Sequence, residues 1–148
     1  MLLVYTDIKH YKQEFRKNLN NLLRPYIPKV RLNKFGIREN LLKISDSISN
    51  CDICLLPMDW NYYIDQKKIP EALYLIEKAS SYDKKIIVGV GGDYFIQLPN
   101  YDNIIGMYFS AYSSKIKKNS FINPVIIRDP LKELGLELQL REFNELPL

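Results

Sequence analysis

Between residues 51 and 63 the chain reads Cys-Asp-Ile-Cys-Leu-Leu-Pro-Met-Asp-Trp-Asn-Tyr-Tyr, an apolar run that breaks into rings, an amide and a carboxylate. Asp59, Trp60, Asn61, Tyr62 and Tyr63 are the residue types a sugar or nucleobase calls for: flat ring faces to stack on, with polar groups that meet hydroxyls and edge donors. Aromatic rings packed over a sheet edge would produce the same run. A second candidate is Gly89-Val-Gly-Gly-Asp93, where glycines let backbone amides approach a ligand and Asp93 offers a partner for a sugar hydroxyl or a general base. Neither of the two common phosphate-loop patterns is complete there, and a tight strand-to-loop turn explains the glycines more simply. The third candidate, after Tyr108, supplies Tyr112 and Lys115 with Lys117 and Lys118, and Arg128 and Asp129 follow. These residues could meet a phosphate or an acidic sugar, or form a solvated loop.

Other chemistries find less support. Cys51 and Cys54 are spaced as CxxC, but they alternate with Ile53 in a strand-like run and lack a second pair, so they read as buried structural thiols rather than redox or zinc groups. His10 is the only histidine and has no companion at metal-ligand spacing; it reads as a surface residue at a helix start. No G-x-S-x-G elbow is present, which disfavours a serine hydrolase of the common α/β type. The expectation is of no metal, no cofactor and no identifiable catalytic residue.

The elements that position these residues alternate. Leu2-Leu-Val-Tyr5 reads as a first strand, and Phe15, Leu19, Leu22 and Leu23 fall on one face of a helix that Pro25 and Pro28 end. Residues 30–35 alternate as a second strand, with Leu41, Ile44 and Ile48 as a short helical stripe after it. Ile53–Leu56 is the third strand. Pro70 and Glu71 open a helix in which Leu73, Ile76 and Ala79 are buried, because proline suits the first turn and an acid complements the macrodipole. Residues 86–90, 103–109 and 124–128 supply three more strands, and residues 112–121 read as a loop. The pattern predicts a three-layer, Rossmann-like α/β domain over residues 1–135, with a mostly parallel sheet of five to six strands, and a tail or truncated linker over 136–148.

With 148 residues the chain suffices for one core, and no apolar run reaches the roughly 18 residues that a membrane span requires. Its first residues read as running directly into a strand rather than a leader peptide, so the expectation is of a cytoplasmic protein. Residues 1–50 carry ten Lys and Arg against four Asp and Glu, enough to attract an acidic ligand. The lysines are scattered rather than interleaved with stacking rings, so a nucleic-acid partner is not expected.

The runs Asp52–Tyr63, Lys85–Asp93, and Ser113–Asn119 continuing to Asp129-Pro130 together resemble the N-terminal half of bacterial exostosin-like glycosyltransferases, over roughly residues 50–130. That resemblance implies a GT-B architecture of two Rossmann-like domains facing a cleft, the N-terminal one holding the acceptor and the other the nucleotide sugar. It implies partners as well: a glycan acceptor or nucleotide sugar, and a second protein chain supplying the missing domain. The chain stops where the second domain would begin, so the expectation is of an acceptor-side half, inactive alone, in cell-surface polysaccharide synthesis. Asp59, Trp60, Asn61, Tyr62, Tyr63, Asp93, Tyr112, Lys115 and Arg128 would be its substrate-binding residues. Two rivals stand beside it. A nucleoside deoxyribosyltransferase-like enzyme would use the Asp59-Trp60 loop with Glu71 as a carboxylate nucleophile. A flavodoxin-like or receiver-like interaction module would need an acidic pair or a Ser/Thr-rich loop after the first strand, where only Asp7 stands.

Overall fold

Short runs of branched apolar residues become six strands: β1 (Leu2–Tyr5), β2 (Leu42–Ile44), β3 (Ile53–Leu55), β4 (Ile86–Val90), β5 (Ile104–Tyr108) and β6 (Ser120–Ile122). They belong to a computed structural model that describes residues 1–10, 12–27, 32, 36–92, 96–109, 118–123 and 135. The strands form one sheet in the order β2-β1-β3-β4-β5-β6, and every neighbouring pair is parallel. This is a Rossmann-like α/β fold, as the alternation of strand and helix signals predicts.

Each strand divides its residues between two faces. Cys54, Ile86 and Val88 face one side and pack with Ala72, Leu75, Ile76 and Ala79. Leu55, Ile87 and Met107 face the other and pack with Val4 and Leu23. Burial on both faces explains why β4 is apolar throughout, since parallel strands covered on both sides have no solvent face to pattern. Two α-helices lie between β3 and β4: α1 (Trp60–Asp65) and α2 (Ile69–Ser81). α2 opens with proline in its first turn and Glu71 beside it, and it buries Ala72, Leu75, Ile76 and Ala79. Among the described residues no helix is long and apolar enough to cross a membrane.

The structure corrects four local expectations. The segment expected to be the first helix is a series of 3-10 turns, at Ile8–His10, Gln13–Phe15 and Arg24–Tyr26. Asn18, Asn20 and Asn21 interrupt its apolar pattern, and asparagine side chains compete for backbone hydrogen bonds. The Asn20 carboxamide oxygen accepts from the Leu22 N–H at 3.1 Å. Leu19 instead bridges Met58 in antiparallel fashion. The second strand is Leu42–Ile44, inside the supposed helical stripe; Leu32, the one described residue of 30–35, is helical and buried. The aromatic run at 60–65 is a helix rather than a loop. The loop expected over 112–121 ends in a strand, Ser120–Ile122, whereas the expected strand at 124–128 lies outside the described residues, as does the tail at 136–148.

Candidate functional site

Open parallel sheets bind ligands at the carboxyl ends of their strands, and the residues leaving β3 and β4 meet there. β3 runs on through Pro57 and Met58 into Asp59, whose backbone is extended at the position preceding α1. The segment at 18–20 lies antiparallel to this stretch: the Asn20 N–H donates to the Pro57 carbonyl and the Asp59 N–H donates to the Asn18 carbonyl, both at 2.9 Å. That pairing brings Arg24 to Asp59, with Nη2 3.3 Å from Oδ2. Arg24 is also spent on the chain itself, donating to the Leu19 carbonyl at 2.9 Å and the Lys17 carbonyl at 3.1 Å.

Asp59 occupies a helix-capping position, yet its side chain makes no cap hydrogen bond. Its carboxylate turns against β4 instead. A Cβ at Gly89 would collide with Asp59 Oδ1, and one at Gly91 would lie 3.4 Å from Oδ2. Glycine at these two positions is thus what admits the carboxylate. Asp59 is buried and its Oδ1 has no hydrogen-bond partner, nor has the neighbouring Asn20 Nδ2. Burial pushes the Asp59 pKa up to about 7, while the Arg24 charge pulls the other way. The group therefore sits near half-protonation at neutral pH, able to donate to or accept from a hydroxyl.

Around this carboxylate lies an open cleft of about 290 Å³. Asn61, Tyr62 and Asp65 of α1 line one side, Lys17, Asn18 and Arg24 another, and Gly91, Gly92 and Phe109 the strand ends. Asn61 is held by the Gly91 N–H, which donates to its Oδ1 at 2.9 Å. Gly92 has φ +84°, a conformation glycine adopts at little cost. The cleft thus combines two amides, two carboxylates, two cations and two aromatic rings within a small polar opening.

The expected binding residues divide three ways. Asp59, Asn61 and Tyr62 come together in this cleft. Trp60 and Tyr63 do not join them: they are 5% and 2% exposed, with ring centroids 6.4 Å apart, and belong to the core. A six-residue helix that packs against the sheet must turn some of its rings inward, so Trp60 cannot serve as an exposed stacking platform. Asp93, Tyr112, Lys115 and Arg128 lie outside the described residues.

Sequence reasoning missed Lys17, Asn18, Arg24 and Phe109. The one available signal was the asparagines at 18, 20 and 21, which are poor residues for the helix expected there. His10 is also corrected, from a surface residue to a half-buried one whose ring packs edge-on against Phe15 and Tyr62. Cys51 and Cys54 are buried free thiols with sulfurs 3.8 Å apart, and burial pushes the Cys54 thiol up to about 12. Among the described residues no group of three or more His, Cys, Asp or Glu side chains is placed to hold a metal ion. Comparison with family models, with curated proteins and with solved structures returned no match.

Proposed function

We propose that this chain is a carbohydrate-binding domain corresponding to the acceptor-side half of a GT-B glycosyltransferase, acting in cell-surface polysaccharide synthesis in the cytoplasm. The observation that carries the reading is the cleft beside Asp59, where Asn61, Tyr62 and Phe109 stand with Asp65, Lys17 and Arg24. Sugars require this combination, because each ring has an apolar face for an aromatic side chain and a rim of hydroxyls for charged and amide groups. The polysaccharide role is the part supplied by the resemblance of residues 50–130.

In this role the domain binds and orients an acceptor. An acceptor hydroxyl placed against Asp59 meets a carboxylate whose pKa of about 7 suits it to take up a proton near neutral pH. Arg24 holds that carboxylate in position. A nucleotide-sugar-binding domain, on this or another chain, supplies the donor and shuts out water.

The test is a titration of the labelled chain with short glycans, nucleotide sugars and nucleosides, followed by amide and side-chain NMR. Saturable glycan shifts at Asn61, Gly91 and Gly92 that disappear in Tyr62→Ala are the expected result. If no glycan moves these signals, the carbohydrate reading is abandoned.

A further inference from the structure

A second opening lies across α1 from the Asp59 cleft. The strand order reverses about β1, with β2 on one side and β3 on the other, and at such a point the connections leaving the strands part and open a crevice. Here the crevice measures about 350 Å³ and is walled by the residues following β1 and β2 and by α2. It brings together Asp7, Asp46 and Glu71 from three separate stretches of chain. Thr6, only 3% exposed, also lines it, and its Oγ1 has no hydrogen-bond partner. A buried hydroxyl left unpaired is costly and points to a partner that arrives from outside the fold.

We propose that this crevice is a second ligand site, separate from the Asp59 cleft, and that it takes a neutral polyhydroxylated ring, either a free sugar or the pentose of a nucleoside. The carboxylates are placed to accept from ring hydroxyls, while the Thr6 hydroxyl can donate or accept. Asp7 keeps one oxygen for this purpose, since Oδ1 already accepts from the Lys9 N–H at 3.0 Å. Glu71 is exposed and meets Lys68 only at 3.8 Å, leaving it free to turn to a ligand. The opposing positive charge is partly committed: Lys78 Nζ donates to the Tyr5 hydroxyl at 3.0 Å and lies over its ring. Three carboxylates against Lys9 and Lys78 disfavour an anionic ligand, so phosphorylated forms of the same ring are rejected. The inference does not depend on the carbohydrate reading of the other cleft.

The experiment is an NMR and calorimetric titration of the full chain with ribose, a methyl hexoside, adenosine and adenosine 5′-monophosphate. The expected result is saturable shifts at the Thr6, Asp7 and Asp46 amides with at least one neutral compound, and weaker binding of the monophosphate. Binding of adenosine without ribose or hexoside identifies the nucleoside as source; binding of the free sugars identifies a glycan. Asp46→Ala and Glu71→Ala, both at exposed positions, should each weaken binding about tenfold. Thr6→Val provides the sharper control: loss of an unpaired buried hydroxyl leaves stability unchanged or raised while affinity falls. No saturable shift at these amides, or tighter binding of the monophosphate, overturns the proposal. Because the two clefts report through different amides, a failure here is distinct from a failure at Asn61 and Gly91.

Discussion

Replacing Asp59 with asparagine should stabilise this protein at pH 8 and change it little at pH 4. The side chain is buried, and desolvation raises its pKa from 3.8 to about 7 against the pull of Arg24. Between these two values the folded chain keeps a proton that the unfolded chain has released. Stability therefore falls as pH rises from about 4 to about 7, and above that the whole cost is present. A rise from 3.8 to about 7 corresponds to about 4 kcal/mol, at about 1.4 kcal/mol per unit. An amide of the same shape removes this cost. It also removes the charge facing Arg24, but that side chain is 30% exposed and keeps its hydrogen bonds to the Leu19 and Lys17 carbonyls. The pull of Arg24 is already contained in the value of about 7, so the lost pair is not subtracted a second time. The net expectation is a gain of up to about 4 kcal/mol at pH 8 and little change at pH 4, where the folded carboxyl is already protonated and has no charge to pair with Arg24. Urea unfolding of both proteins at pH 4, 6 and 8, followed by the fluorescence of the only tryptophan, Trp60, measures this directly. An asparagine variant no more stable than its parent at pH 8, or a difference independent of pH, would refute the account of Asp59 as a carboxylate destabilised by burial.

Gly89→Ala places a methyl group on Asp59 Oδ1 and should cost about 1–3 kcal/mol, with much of that loss recovered when Asp59→Ala accompanies it; paired denaturation curves test the coupling. Asn61→Ala removes the acceptor of the Gly91 N–H and should destabilise by about 1 kcal/mol, with a larger chemical-shift change at Gly91 than anywhere in β1. Neither Cys51 nor Cys54 should react with a thiol reagent at pH 8 until the protein is unfolded, since both are buried and the Cys54 thiol is pushed up to about 12; a stoichiometric reaction in the native state would contradict that burial. Trp60 should emit at short wavelength and resist iodide quenching, because it is 5% exposed.

Much of the sheet was legible because β3, β4 and β5 are largely buried on both faces. β1, β3, β4 and β5 each read as an apolar run, and such runs need no partner to be recognised. β2 was harder: Leu42-Lys-Ile44 is three residues long, and Leu41, Ile44 and Ile48 also satisfy a helical spacing. The 12–27 segment failed for the complementary reason. Its leucines have helical spacing, but Leu19 is buried by an antiparallel bridge to Met58 rather than by a helix. α2 was legible in its opening residues and in part of its buried face: Ile76 and Ala79 are buried as expected, while Leu73 is half-buried and Ala72 and Leu75 complete the face.

The chain by itself determined the layered α/β architecture and drew attention to the stretch at Asp59–Tyr63, because hydrophobic periodicity and residue chemistry are local properties. Which of those five residues face the cleft was decided by tertiary structure alone. A short helix against a sheet buries Trp60 and Tyr63 while leaving Asn61 and Tyr62 at the cleft, and only that packing distinguishes adjacent rings. The same holds for the electrostatics. Arg24 reaches Asp59 across 35 positions of sequence because the two segments pair backbone to backbone, and Asp59 owes its raised pKa to the desolvation that this pairing and the bare backbone of Gly89 create. Long-range proximity and burial are properties of the assembled core, and no local pattern of residues encodes them.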